Sequence, residues 1–336
     1  MSDEKDQKTG ATPDEGSDVA NEDATAPAND GSSDPVKPDE ENSTVQAEAG
    51  VGKVVEPSAN RPDEPQSKYI VEFKNVTKTY SYGSDNAFTA IEDVTFKVED
   101  IPDKGEFISV LGPSGCGKST ILRLIAGLEP QHPPTFGDVL VQGQPVTGTG
   151  ADRGMVFQDY TSFDHRTVLQ NITFGLECQH VPAKVRNELG LEWISKVGLD
   201  VGADRNKYPH ELSGGMRQRV AIARTLILKP RIILMDEPFG ALDPQTRADM
   251  QDLLVSLWRE VEATVFFVTH SIEEAVYLGD RVYILSSSPG TLVKEMEVEP
   301  PDRPAREMQR ESAFQETVYY IRDEITRLEA GHNKAK

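Results

Sequence analysis

The chain has 336 residues, room for a sizeable core and more than one unit, and its 56 Asp and Glu against 35 Lys and Arg leave a formal charge of −21. That excess of negative charge, with no basic stripe, argues against nucleic acid as the main partner. No window approaches the eighteen or so consecutive apolar residues that span a bilayer, and two cysteines, Cys116 and Cys178, are too few for a disulfide framework.

The opening "MSDEKDQKTG" has no apolar core and does not read as a secretory signal. Residues 1–68 carry 17 Asp and Glu against 6 Lys and Arg, and contain no Leu, Ile, Phe, Tyr or Trp. Such a stretch buries too little apolar surface to offset the entropy of ordering, so a disordered acidic tail is expected there. Its expected role is passive solubilisation; the alternative is a regulatory arm docking on a basic patch.

From residue 69 strands and helices alternate, the pattern of an α/β domain. "YIVEFKNVTKTY" and "FTAIEDVTFKV" alternate apolar and polar residues as half-buried antiparallel strands do. "EFISVL" is a short apolar strand, followed by a glycine-rich stretch and then "STILRLIAGL", whose Ile121, Leu122, Leu124, Ile125 and Leu128 make a helical stripe. "DVLVQG" and "RGMVFQ" add strands, and from about Thr167 to Leu228 the pattern turns helical. "RIILMDEP" and "ATVFFVTH" are continuous apolar runs ending in polar residues, as central parallel strands are. After Pro304, Phe314, Val318, Ile321, Ile325 and Leu328 fall on one helix face, expected to pack on its own domain rather than on a second copy.

"GPSGCGKST" fits G-x-x-x-x-G-K-[ST] between a strand and a helix. Gly112, Pro113, Ser114, Gly115, Cys116, Gly117, Lys118, Ser119 and Thr120 are therefore the expected phosphate cradle. Its glycines let the backbone wrap a polyphosphate and aim N–H groups inward at a helix N-terminus. Lys118 is expected to reach the β- and γ-phosphates and the Ser119 hydroxyl to ligate Mg²⁺. Asp236, ending a buried strand, is the second expected Mg²⁺ ligand, and Glu237 beside it is suited to deprotonate an attacking water. Within the cradle, the helix dipole and Lys118 should lower the Cys116 thiol pKa, so that thiol reagents inactivate the protein and ATP protects it; the alternative is that Cys116 is simply a tolerated small residue.

"LSGGMRQRVAIARTL" places Ser213, Gly214 and Gly215 at a second helix start, which would also suit a γ-phosphate, yet the chain has one cradle and one Asp-Glu pair. Ser213 lies 95 residues after Lys118 and 23 before Asp236, and at that spacing the motif resembles the signature of ABC-type ATPases. The resemblance implies a P-loop ABC fold, with a mixed central sheet, an antiparallel β subdomain and a helical subdomain over about 159–228. It spans residues 69–300, leaving 301–336 as a C-terminal helical extension. It also implies that Ser213, Gly214 and Gly215 cap the ATP held by a second copy. Carried over residue by residue, Gln158 in "MVFQDY" senses Mg²⁺ and the attacking water, so that Ser119, Gln158 and Asp236 form the metal set. Asp243 in "GALD" sits at the dimer seam, and His270 in "FFVTH", 33 residues after Glu237, contacts the γ-phosphate. Tyr80 matches the family's aromatic platform for adenine, with Tyr82 as competitor; stacking there contributes roughly 1–3 kcal/mol.

"GEFISVLGPSGCGKSTILRLIAGLEP", "MDEPFGALDPQTR" and "VTHSIEEAVYLGDRVYILSSSPG" look most like ATP-binding subunits of bacterial nitrate/sulfonate/taurine-type importers. That resemblance implies ATP hydrolysis coupled to transport, two copies on transmembrane permease subunits, a separate solute-binding protein, and a peripheral place on the cytoplasmic side of the inner membrane. Relatives commonly carry Pro-Trp where this chain has "SFDHRTV", so Asp164, His165 and Arg166 mark a departure in the region facing the permease. The alternative is a soluble ABC ATPase acting on ribosome or DNA. Ribosome-acting forms usually hold two cassettes per chain and DNA-repair forms a long coiled coil, neither of which is present here.

Overall fold

The computed structural model describes residues 67–101, 104–159 and 161–335, the side chains beyond Leu328 excepted. The acidic stretch up to residue 66, and the expectation made for it, lie outside the described residues.

The described chain opens with β1 (Tyr69–Tyr80) and β2 (Phe88–Glu99), enters β3 (Phe107–Leu111), and passes through the glycine-rich turn into α1 (Lys118–Ala126). β4 (Phe136–Val141), β5 (Gln144–Pro145) and β6 (Arg153–Val156) follow. The helical stretch holds α2 (Val168–Ile172), α3 (Phe174–Cys178), α4 (Ala183–Lys196) and α5 (Gly214–Leu226). Strands and helices then alternate as β7 (Ile232–Asp236), α6 (Pro244–Val261), β8 (Thr264–Val268), α7 (Ile272–Leu278) and β9 (Arg281–Leu285). β10 (Leu292–Glu297), α8 (Ala305–Met308) and α9 (Ser312–Ala335) complete it.

Two sheets form. One is antiparallel, ordered β2-β1-β4-β5; the other is ordered β10-β9-β3-β8-β7-β6, parallel except for β10. The apolar runs of the second sheet are explained by covering on both faces. Along β7, Ile232 and Leu234 enter the core shared with α1 and the antiparallel sheet, while Ile233 and Met235 enter the core shared with α5, α6 and α7. β3 splits the same way, with Ile108 and Val110 on one side and Phe107 and Leu111 on the other. The carboxyl ends of β3, β7 and β8 therefore lie side by side in register, the place where open parallel sheets bind ligands.

In the helical stretch, Thr167 and Gln170 form a reciprocal cap at the start of α2. Fully buried Asn171 donates to the carbonyls of Phe163, Arg166 and Thr167 and accepts from the Phe163 N–H, fixing the turn that leads into it. The C-terminal helix packs on its own chain: Phe314, Val318 and Ile321 enter the core that holds Ala275 and Leu278 of α7. Arg322 of α9 bridges to Glu273 at 3.0 Å. Among the described residues no helix is long and apolar enough to cross a membrane.

Candidate functional site

The glycine-rich turn closes over the end of β3. Gly117 caps α1 with φ +92°, and a Cβ there would lie 2.3 Å from Ile91 Cγ2, so both dihedral and space demand glycine. Lys118 is folded into the turn, its Nζ donating to the carbonyls of Gly112 at 2.9 Å and Pro113 at 3.1 Å. One residue on, Ser119 Oγ donates to Asp236 Oδ1 at 2.7 Å, so the turn and the end of β7 meet through two oxygens. Arg123, one turn into α1, approaches the other Asp236 oxygen at 3.7 Å. The sequence reading missed Arg123; its only signal is a cation one turn after the phosphate-loop lysine, on a helix otherwise buried.

Glu237 leaves β7 in a left-handed conformation, φ +49°, which costs a non-glycine residue about 1–2 kcal/mol. Its N–H donates to Val268 O at 3.0 Å, Gly240 N–H closes a turn on its carbonyl at 3.2 Å, and fully buried Phe239 anchors that turn against Phe267. The carboxylate is thereby aimed across the strand ends, with Oε1 2.5 Å from His270 Nε2 and Oε2 accepting from Gln158 Nε2 at 3.4 Å. Gln158 lies two residues beyond the end of β6 rather than within it, and is exposed. Five expected site residues, Ser119, Gln158, Asp236, Glu237 and His270, thus meet in one cluster.

The expected lowering of the Cys116 thiol pKa is overturned. The side chain is fully buried, and burial pushes its thiol pKa up, outweighing the opposing charge of Lys118, whose Nζ lies 4.0 Å from the sulfur. The loop uses Cys116 as a small apolar filler in the core beneath it.

Ser213 and Asp243 stand apart from that cluster, neither hydrogen-bonding the phosphate loop among the described residues. Each caps a helix: Ser213 accepts from Met216 N–H at 3.3 Å at the head of α5, and Asp243 accepts from Gln245 and Thr246 N–H at the head of α6. Hydrogen bonds from Thr246 hold the Asp243 carboxyl below its ordinary range. The two helix starts adjoin, a Cβ on Gly215 lying 3.0 Å from Thr246 Cγ2. At Gly214 no other group among the described residues lies within 4 Å of such a Cβ and φ is not left-handed, so nothing among the described residues requires glycine there.

Tyr80 is half-buried, its hydroxyl 3.3 Å from Thr120 Oγ1 on α1, with Lys78 Nζ 5.6 Å from the ring centre. Tyr82 is 66% exposed and packs edge-on against Phe136 instead. Beyond Gln158, a groove of about 680 Å³ is lined by Asp159, Thr161, Ser162, Asp164, His210 and Arg217. Next to it Arg166 pairs with Glu177 at 2.9 Å and lies over Phe174, while Arg224 lies over Phe163. Among the described residues no cluster of three or more His, Cys, Asp or Glu could hold a metal unaided. A hydroxyl beside one carboxylate, as at Ser119 and Asp236, is instead a hard-oxygen pair of the kind that holds Mg²⁺ together with phosphate oxygens and water.

Residues 91–240 match the family model described as ABC transporter. The chain is 48% identical over 232 residues to an uncharacterized ABC transporter ATP-binding protein of Methanocaldococcus jannaschii, covering 69% of this chain and 83% of that protein. It is 44% identical to the nitrate import ATP-binding protein NrtD of Synechocystis sp. over 74% of this chain and 91% of the relative. The taurine import ATP-binding protein TauB of Rhizobium johnstonii is 47% identical, over 62% and 77% respectively. Among solved structures, a dimeric ATP-binding cassette in a post-hydrolysis state bound to ADP and Pi aligns with TM-score 0.58 and 34% identity, over 68% of this chain and 99% of that one.

Proposed function

This chain belongs to the ABC transporter family as an ATP-binding subunit, and from that premise we propose which of its residues carry the reaction and what the reaction drives. The protein hydrolyses ATP and energises solute import. Its solute belongs to the nitrate, sulfonate and taurine class, a reading supported by the names of its relatives.

Lys118 exchanges its two loop carbonyls for β- and γ-phosphate oxygens, and Gly112 to Thr120 supply backbone N–H groups around them. Ser119 and Asp236, with Gln158 nearby, are the residues that would hold Mg²⁺. Held there, the ion would supply positive charge to offset the build-up on the phosphoryl oxygens. Glu237 takes the proton of the attacking water, and His270, which lies against that carboxylate, hydrogen-bonds the γ-phosphate. Tyr80 stacks on adenine. Ser213, Gly214, Gly215 and Asp243 serve the nucleotide of a second copy; the unoccupied space beside Gly214 supports this, since a partner's phosphates could approach the backbone there. Permease subunits occupy the groove beyond Gln158, placing the dimer peripherally on the cytoplasmic side of the inner membrane, and a solute-binding protein delivers the cargo from the other side.

The observation that carries this reading is the convergence of Glu237 on His270 and Gln158 beside the Ser119–Asp236 pair. One variant tests it. Tagged full-length Glu237→Gln, recovered from native membranes with detergent, should retain ATP, form a dimer, fail to turn over and bring a hydrophobic permease with it. Wild-type hydrolysis would remove Glu237 from its role, and recovery with ribosomes or DNA would replace the importer reading.

A further inference from the structure

Glu274 is 5% exposed in the first turn of α7, an ionisable side chain on a buried helix face that the reaction above does not use. One carboxylate oxygen accepts from the Thr269 hydroxyl; the other faces Arg247 Nε at 3.5 Å. Thr269 Oγ1 also accepts the N–H of Ser271 at 3.0 Å, and Ser271 Oγ accepts the N–H of Glu274 at 3.1 Å. The residues on both sides of His270 are therefore tied to the head of α7, and one of those ties ends on this carboxylate. Arg247 lies one turn into α6, and its Nη2 donates to Leu242 O at 3.0 Å, beside Asp243. A single guanidinium thus bridges the turn before α6 and the carboxylate that braces the His270 backbone.

We propose that Arg247 and Glu274 are positioning residues that transmit the conformation of the Leu242–Asp243 turn to His270 through the Thr269 hydroxyl. The inference rests on the roles proposed above for Asp243 at the dimer seam and His270 at the γ-phosphate. Closing the seam moves the turn; Arg247 follows its carbonyl, and Glu274, held between Arg247 and Thr269, sets where His270 meets Glu237. Hydrolysis is then admitted only in the closed pair, while ATP binding by one copy is untouched. Burial pushes the Glu274 carboxyl up, while the Thr269 hydroxyl, the Arg247 charge and a hydrogen bond with Gln251 oppose that shift.

The test uses full-length protein with Mg-ATP, and reads kcat, KM and ATP affinity in three variants. Arg247→Lys keeps the charge against Glu274 but loses the fork that also reaches Leu242 O. Glu274→Gln keeps an acceptor for Thr269 but loses the charge, and the double variant Arg247→Gln with Glu274→Gln removes both the buried carboxylate and its half-buried partner. Each should lower kcat at least about tenfold while KM and ATP affinity shift less than about threefold. A merely structural pair behaves otherwise: a lone buried charge is the costly state, so removing both should restore activity lost in the single variant. Wild-type kcat in Arg247→Lys or Glu274→Gln, or its recovery in the double variant, overturns the proposal. His270→Ala and Asp243→Ala, measured alongside, isolate the underlying reading. Full activity in those two shows that the site assignment has failed, whereas loss in those two alone shows that only the relay has.

Discussion

At Cys116 two effects compete over one sulfur atom, and their magnitudes decide its chemistry. The neighbouring Lys118 ammonium favours thiolate, but desolvation in a fully closed pocket favours thiol and wins. Cys178, at the end of α3, is exposed. A maleimide at neutral pH should therefore label one thiol per native chain, at Cys178, with or without ATP, and reach Cys116 only after denaturation. Two labels on native protein, counted by mass spectrometry, would show that the loop opens far enough to expose its sulfur. Sequence reading erred here because proximity to a cation is visible in the motif and burial is not. Lys118, Ser119, Asp236 and Glu237 lie together at the strand ends as the motifs lead one to expect, because a fixed spacing between a strand and a helix leaves those side chains few places to point. Arg123, Arg247 and Glu274 escaped sequence reading, each acting laterally on a partner that chain order does not indicate. A charge on an amphipathic helix reads by default as solvated.

Elements were legible to the extent that burial follows periodicity. The unbroken apolar runs of β7 and β8 announce a parallel sheet covered on both faces, and the stripe through Phe314, Val318 and Ile321 announces the buried face of α9. What the stripe covers was open on sequence grounds, and α7 is the answer: the helix that begins just after His270. The C-terminal extension is therefore part of the packing behind the helix that follows His270, not an appendage. Val318 is 1% exposed, so Val318→Asp buries an unpaired carboxylate. The expected cost is about 2–4 kcal/mol, lowering Tm by roughly 5–10 °C in a scan of the full-length protein. Among the described residues the side-chain hydrogen bonds and ion pairs that leave α9 run to Glu273, Lys294 and Gln309 rather than to the phosphate loop, so ATP affinity measured below that transition should stay at its wild-type value. A variant that melts with the wild type would mean that the helix is dispensable to the fold.

At the scale of the whole molecule, the two sets of residues proposed above for the nucleotide do not meet among the described residues. Lys118, Asp236 and Glu237 gather at the strand ends, while Ser213 and Asp243 cap adjoining helices and make no hydrogen bond to the phosphate loop among the described residues. If two copies pair about a two-fold axis, each site joins the phosphate loop of one to the Ser213 turn of the other. Lys118→Ala damages one half and Ser213→Arg the other, and in a homodimer of either variant both sites carry a defect. Mixing the two inactive proteins changes that count: a mixed dimer places both defects in one site and leaves its second site intact. With free exchange and independent sites, an equimolar mixture should regain about a quarter of the wild-type ATPase rate, since half the dimers are mixed and each has one working site. An assembly whose sites were complete within one chain would regain nothing on mixing, so a mixture no faster than its components would return both halves to a single copy.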